Sequence, residues 1–413
     1  MVGPKVASNM KNKPKYASFS ERSTVLIQKR NLKMASSSHA YVRGNTLKFY
    51  EWLATADRGS VPEGPPVWIC GDCHLGNLGP LADTDGKIAV QIRDLDQSII
   101  GNPAHDLIRL GLSLAMAARG SDLPGVITAK MIEQLTQGYQ EALGRDGPDF
   151  PEKPECVQLV MRKAVKRTWA QLAKERLKDA RPNIPLGKAF WPLSDDERRQ
   201  IEALVATDEV RRLATCLSYR KDQAHIEVLD AAYWVKGCSS LGRLRFAVLL
   251  RVGKPFEDGR SLCLMDIKAA VPPTAPCLGK NQLPSDDAVR VVSGTRQLSP
   301  ALGERMIAAR ILDRPVFIRE LLPQDLKLEI AQLTREEAMK AARYLAAVVG
   351  KAHARQMDQA TREEWRKGLA CDHLSALDAP SWLWSNIVDL VACHEAAYLE
   401  HCRHYALEGA SSG

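Results

Sequence analysis

Gly71-Asp72-Cys73-His74-Leu75-Gly76-Asn77, followed by Arg93-Asp94-Leu95-Asp96, is the stretch on which the reading of this chain turns. A carboxylate, an amide five residues later and further carboxylates beyond a short hairpin form a set that suits phosphoryl transfer. One acid, Asp72, would orient an attacking hydroxyl and accept its proton. The amide of Asn77 and the carboxylate of Asp94, with Asp96 as a second ligand or a support, would hold the cations that neutralise phosphates. Asp and Asn also populate ordinary turns, so the weight of the pattern comes from what surrounds it.

Working outward, Val67–Cys70 is apolar and strand-like. Leu78–Leu81 and Ile88–Ile92 read as two arms of a hairpin over Asp83-Thr84-Asp85-Gly86. That hairpin carries Asn77 at its entrance and Asp94 at its exit, which lets the two side chains meet in space. Asn102-Pro103 then opens a helix, with Asn as cap and Pro at the first helical position; Leu107, Leu110, Leu114 and Met116 give it an apolar face. Asp106, one turn in, either bonds back to the 71–77 loop or only complements the positive helix end.

The chain has 413 residues, enough for two or three packed units. Its apolar content of 45% and charged content of 26% are those of a soluble globular protein. Apolar runs are core-sized rather than membrane-spanning, and lysines interrupt the N-terminus where a signal peptide would be apolar. The expected setting is the cytoplasm, with no membrane partner. Residues 1–34 hold eight Lys/Arg against the single acid Glu21, so most of the formal charge of +8 sits there. Such a leader reads as a mobile arm. The body shows no basic stripe interleaved with aromatics, so a nucleic-acid partner is not expected. Ten scattered cysteines suit reduced thiols. Cys70 and Cys73 form one C-x-x-C without the second pair a zinc site wants, and they read as small residues flanking a crowded loop.

Residues 125–222 read as helical, with solvated charged faces over Val157–Leu177 and Asp195–Ala206 and a loop marked by Pro182, Pro185 and Pro192. From about 226 the texture becomes strand-like: Tyr233–Lys236, Arg243–Arg251, Ser261–Lys268 and Val316–Arg319, with a turn at Glu257-Asp258-Gly259. A helix is expected from Ser285 to Val292, and Thr334-Arg335-Glu336-Glu337 reads as a capping box opening a long helix that runs to His353. Between two of the strands, Gly237-Cys238-Ser239-Ser240-Leu241-Gly242 can expose successive backbone N–H groups as an anion cradle, although hairpins also use glycines for backbone reasons alone. Period-two alternation places Leu264, Asp266 and Lys268 on one face. A lysine in so apolar a strand needs a phosphate or a carboxylate beside it.

Glycine loop, strand, strand ending in lysine, helix, strand and hinge follow one another as in the small lobe of a kinase. Here, however, the catalytic stretch precedes them. Moving residues 71–96 and the helices after them behind the strands restores kinase order, which points to a circular permutation. At these residues the chain resembles the bacterial family called domain of unknown function 2252, a relative of kinase-like and aminoglycoside-type phosphotransferases. The resemblance runs through Lys33-Met34-Ala35, Tyr41-Val42-Arg43-Gly44, Cys70 to Gly79, Asp94 to Leu110, Gly237 to Lys268, Val316 to Leu322 and Ala352-His353-Ala354-Arg355.

The resemblance implies an α+β, kinase-like two-lobed fold, permuted. Its parts are a leader at 1–34, a large helical lobe at 35–225, a small β-rich lobe at 226–322 and helices at 323–413 completing the large lobe. It implies ATP and magnesium as cofactors and a hydroxyl of a small molecule as acceptor, since Gly71 stands where protein kinases carry arginine. Asp72 is then the base, and Asn77, Asp94 and Asp96 the metal ligands. Gly237, Ser239, Ser240, Gly242 and Lys268 hold phosphates, and the backbone around Glu320–Leu322 meets adenine. His74 orients the loop or is a structural histidine, Arg43 binds phosphate or braces the loop, and His353 lies beneath it. The usual glutamate partner of the strand lysine has no counterpart: Ser293 stands in its place, with Asp286, Asp287 or Glu304 as substitutes. A nucleotide-binding protein without turnover and a nucleotidyl transferase on the same fold are the alternatives.

Overall fold

The strands read from 226 onward assemble into one antiparallel sheet, and its alternation sets up everything that follows. The computed structural model describes residues 16–57, 59–144, 151–176, 183–254, 259–279, 283–328, 334–370 and 380–410. Three helices open it: α1 (Arg22–Ala35), α2 (Ser38–Gly44) and α3 (Thr46–Thr55). Strand β1 (Val67–Ile69) enters the 70–77 loop, which closes in one 3-10 turn. The hairpin β2 (Leu78–Ala82) and β3 (Ile88–Ile92) follows, then β4 (Ile99–Gly101), which pairs back on β1. Helices α4 (Pro103–Gly120), α5 (Gly125–Ala142), α6 (Glu155–Lys166) and α7 (Trp169–Arg176) precede the short strand β5 (Phe190–Trp191), then α8 (Asp195–Val205) and α9 (Asp208–Thr215). Strands β6 (Ile226–Trp234), β7 (Arg245–Val252) and β8 (Leu262–Ala269) come next, then α10 (Asp287–Leu298), α11 (Pro300–Gly303), β9 (Met306–Ile311) and β10 (Arg314–Leu321). The helices α12 (Arg335–Ala354), α13 (Gln359–Leu369) and α14 (Ser381–Ala410) close the chain.

The fold is thus mixed α+β, with strand order β5-β6-β7-β8-β10-β9 in the main sheet and antiparallel pairing throughout. One face of that sheet, carrying Phe246, Val248, Met265, Ile267 and Ile318, is covered by α1, α8 and α9. On the other face the register stacks three rows. Leu249, Leu264 and Leu321 form an apolar row against α7, Ala247, Asp266 and Arg319 the next, and Arg245, Lys268 and Phe317 the third. The expected alternation of Leu264, Asp266 and Lys268 therefore holds. A larger core lies around α4, α5 and α12, with α4 buried along nearly its whole length. Among the described residues no helix is long and apolar enough to cross a membrane.

Several expectations are corrected. The leader is not a free arm over its second half: α1 buries Leu26, and Arg22 pairs with Glu197 at 2.6 Å, both side chains being out of water. Arg22, Lys29 and Lys33 contact the body, which composition does not reveal; residues 1–15, and with them part of that leader, lie outside the described residues. Pro182 and the first two residues of the Glu257-Asp258-Gly259 turn also lie outside them. The expected strand at 233–236 begins earlier, at Ile226, and Lys236 falls beyond its end. The helix expected from Ser285 is capped instead by Asp286, which accepts from the N–H groups of Ala288 and Val289. Strand β9 was hidden because its turn to β10 has no glycine: Leu312 and Asp313 take positive φ (52° and 56°) themselves. Thr334 caps α12 as expected, but the Glu337 carboxylate accepts from the Cys156 N–H rather than closing the box.

The helical core holds histidines that oppose their own protonation. Burial pushes His105 down to about 4 and His394 down to about 3, and each keeps one ring nitrogen without a partner. Groups whose folded pKa lies below the unfolded value near 6.5 stabilise the fold above that value and lose the contribution as pH falls through the window from 6.5 to about 4. The free energy of unfolding at pH 5 is expected below that at pH 7, by roughly 1–2 kcal/mol per histidine, with a correspondingly lower midpoint. An equal midpoint at both values, measured by calorimetry, would contradict this.

Candidate functional site

The 70–77 loop is held from beneath by a single buried acid. Asp106, in the first turn of α4, accepts from the N–H of Cys70 (2.7 Å) and of Gly71 (3.0 Å). It is completed by His353 Nε2 at 3.2 Å. Of the two roles open to Asp106, bonding back to the loop is the one it performs. Trp365 donates to the Tyr139 hydroxyl (3.2 Å), which sits 2.9 Å from His353 Nδ1. Since the Asp106 carboxylate only accepts, Nε2–H of His353 points at it, which leaves Nδ1 to accept from the Tyr139 hydroxyl. Gly71 has φ +73°, and a Cβ there would collide with the Gln97 carbonyl, so the loop requires glycine. Its own carbonyl accepts from the Tyr50 hydroxyl at 2.7 Å.

Asp72 emerges from this base already oriented. Arg109, three residues beyond Asp106 on α4 and 1% exposed, donates from Nε (3.1 Å) and Nη2 (2.8 Å) to Oδ1 alone. Oδ2 has no hydrogen bond; His74 Nε2 stands 3.9 Å away. Asn77 donates from Nδ2 to the Asp72 carbonyl (3.0 Å), which leaves its Oδ1 as an acceptor. His74 is buried in the loop, but its Nδ1 has no partner among the described residues, so no bond from that nitrogen orients the loop. Burial, with Arg43 and Arg109 adding to it, holds the imidazole well below its usual pKa. Arg43 makes no salt bridge among the described residues; its guanidinium packs where a Cβ of Gly76 would be.

From the opposite side comes Lys268 on β8, 3% exposed. Its Nζ lies 2.9 Å from Asp96 Oδ2 and 3.2 Å from Asp94 Oδ1. Burial disfavours the ammonium, but the two carboxylates outweigh it and raise the lysine above its usual value. Burial likewise works to raise Asp94, yet Lys268, Arg319 and Arg245 together hold its carboxyl well below the usual range. Asp94 remains 42% exposed at the side chain, open to the cavity. The helix that follows β8 supplies no acid to Lys268. Asp286 caps α10, Asp287 pairs with Arg290, and Glu304 is exposed elsewhere. Arg290 holds the acidic loop by its backbone instead, donating to the carbonyls of Asp96, Ser98 and Val271. Asp266, on the same face, is bound by Arg245 through two bonds (2.8 and 2.6 Å) and approached by Arg319.

Several of these groups line one cavity of about 400 Å³, with Arg245 and Arg319 on its wall; Lys268 and Asp266 are buried outside its lining. Asp72, His74, Asn77, Asp94 and Asp96 form its floor. The glycine loop, with Gly237, Ser239 and Ser240, forms its roof, and Leu172, Leu321 and Leu322 its apolar end. Gly237 and Gly242 take positive φ (97° and 91°), as their turn demands. The loop is also gripped from α1: Lys33 Nζ donates to the Gly237 carbonyl (2.8 Å) and the Ser23 hydroxyl to that of Gly242 (3.0 Å). The hinge is the main correction. The Glu320 carboxylate is bound by Arg220 and its carbonyl by Arg305, while the Leu322 N–H goes to Asp325. The backbone groups expected to meet a base at Glu320 and Leu322 are engaged inside the protein. Cys70 and Cys73 are buried thiols packed in the loop; their mutual hydrogen bond and burial push Cys70 well above its usual value.

The residues that spacing alone missed are Arg109, Arg245, Arg290 and Arg319. Each is an arginine at an otherwise apolar position, and a buried guanidinium there implies a carboxylate or carbonyl beside it.

Fold and site together define a mixed α+β protein with a polar cleft between an antiparallel sheet and a helical body. The chain belongs to the family of uncharacterised proteins conserved in bacteria known as domain of unknown function 2252, whose model matches residues 22–404. No curated protein and no solved structure matches it.

Proposed function

We propose that this chain is an ATP- and magnesium-dependent phosphotransferase acting on a hydroxyl of a small molecule. We take the fold to be kinase-like and two-lobed, with its catalytic segment moved ahead of the nucleotide-holding sheet. The observation that carries this is that Asp94 and Asp96, each paired with the buried Lys268 across 174 and 172 residues of chain, line one cavity with Asp72, Asn77 and the glycine loop. Asp72 Oδ2, left free by Arg109, is the atom that receives the hydroxyl proton. The glycine loop at 237–240 and the guanidinium groups of Arg245 and Arg319, which line the cavity while bonded to Asp266, face the phosphates, and Lys268 supplies positive charge from behind Asp94 and Asp96.

The donors fit magnesium. Asn77, Asp94 and Asp96 offer oxygen only, and among the described residues no group of three or more His, Cys, Asp or Glu encloses an ion. That suits a cation bound through one or two carboxylates and the substrate phosphates. Such an ion would neutralise charge on the phosphates.

Thermal unfolding with ATP and magnesium tests the proposal. Nucleotide at a hundred times its dissociation constant is expected to add about 2.7 kcal/mol, with Lys268→Ala and Asp94→Asn each weakening the effect. Absence of any magnesium-dependent shift for several nucleotides would end this reading. Because the hinge groups are already bonded and the base end is lined by leucines, ATP and GTP are expected to bind within about fivefold of each other, a difference of roughly 1 kcal/mol. A preference of a hundredfold would show that the hinge reads the base after all.

A further inference from the structure

On the far side of Asp72 lies a second cavity of about 380 Å³, which shares Asp72, Asp96 and Ser239 with the first. Its other walls include the α2–α3 junction at 44–47, Arg30 and Asn31 of α1, His401 and Tyr405 of α14, and Arg243 just after the glycine loop. The charges decide what it would take. Both carboxylates in it are balanced, Asp72 by Arg109 at 2.8 Å and Asp96 by Lys268 at 2.9 Å. Arg30 and Arg243 are not: neither guanidinium has a salt bridge or hydrogen bond among the described residues, and Arg30 Nε is buried without a partner. Opposite them, the rings of His401 and Tyr405 lie 4.6 Å apart and tilted by 45°. The Nε2–H of His401 is held by the Asn31 carbonyl at 2.8 Å.

We infer that this cavity is the acceptor site, and that it takes a small hydroxyl compound carrying a carboxylate or phosphate rather than a polycation. The inference rests on the phosphotransferase reading above. Arg30 and Arg243 bind the acidic group, His401 and Tyr405 cover the carbon skeleton, and the hydroxyl reaches Asp72. In the step, the hydroxyl oxygen forms a bond to the γ-phosphorus of ATP. The bond from that phosphorus to the β,γ-bridging oxygen breaks with its electron pair, and ADP leaves. The hydroxyl proton passes to Asp72 Oδ2 and from there to water. A polycationic amino sugar would place ammonium groups against two unpaired guanidinium groups.

The test titrates the full chain, saturated with a non-hydrolysable ATP analogue and magnesium so that the first cavity is filled. The probes are glycerol 3-phosphate, inorganic phosphate and kanamycin, and unfolding temperature is the readout. The two anions are expected to stabilise further and kanamycin not to. Arg30→Gln and Arg243→Gln are each expected to weaken anion binding at least tenfold with analogue affinity unchanged, and Arg243→Lys to restore part of it. Glycerol 3-phosphate binding more tightly than phosphate would place the hydroxyl-bearing skeleton in the site; equal binding would identify an anion site only and overturn the acceptor assignment. Stabilisation by kanamycin alone, no anion effect, or an effect that both variants retain would overturn it as well. If the analogue itself does not bind, the phosphotransferase reading fails separately and the acceptor assignment falls with it. The same anion titration without nucleotide then decides whether Arg30 and Arg243 form an anion site at all.

Discussion

Asp72→Asn is expected to lower turnover by a factor of 10² to 10⁴ while nucleotide binding persists, on the proposed reading. Asparagine keeps an oxygen for the two bonds from Arg109 to Oδ1 (3.1 and 2.8 Å), so the loop retains its shape. What is lost is the proton acceptor at Oδ2. The split between the two readouts is the point. ADP release, followed with water or an anionic hydroxyl compound as acceptor, should collapse, and the magnesium-dependent thermal shift should remain. Unchanged ADP release in the variant would remove Asp72 from the chemistry. A wild-type chain that binds nucleotide and releases no ADP with any acceptor would instead be a binding protein, the first of the alternatives. Pyrophosphate as product would mark nucleotidyl transfer.

Asp106→Ala is expected to be the most damaging single change to stability, about 3–5 kcal/mol. The carboxylate is 1% exposed and answers three donors, the N–H groups of Cys70 and Gly71 and Nε2 of His353. Without it all three are buried unpaired. Asp106→Asn is expected to rescue little, because the Cys70 and Gly71 N–H groups bond to different carboxylate oxygens and an amide has only one, so its NH2 faces a donor in either orientation. A loss of this size is a large share of the 5–15 kcal/mol that holds an ordinary domain folded. Urea unfolding at pH 7 measures it, and a change below 1 kcal/mol would show that water replaces the carboxylate.

Much of the site was readable in the chain because its parts obey local rules. The hairpin between Asn77 and Asp94 follows from alternation and a Gly turn. Asn102-Pro103 is a helix start wherever it occurs, and the parity of β8 puts Lys268 beside Asp266. The partners of these residues were not readable. The sequence leaves the partner of Lys268 open, with no glutamate at Ser293; its partners are Asp94 and Asp96, 174 and 172 residues away. Glu320 and Leu322 sit where expected, but Arg220, Arg305 and Asp325 have taken their polar groups, and nothing near them in sequence announces that. Arg30 was counted as one charge of a mobile leader. It is a wall residue of the second cavity, because a helix that docks along the sheet changes the meaning of every lysine and arginine it carries.

The docking of α1 also bears on how the chain is made. Its Asn31 carbonyl is held by His401, and its Ala35 carbonyl by Tyr398, contacts that span 370 and 363 residues. At about 5–20 residues added per second, the first helix leaves the ribosome roughly 20–70 s before its partner exists. Throughout that interval the carbonyls of Asn31 and Ala35 are without the donors that hold them in the folded chain. The two ends of the chain therefore meet only once synthesis is complete, and a product cut short before the last helix lacks His401 and Tyr405, two walls of the second cavity.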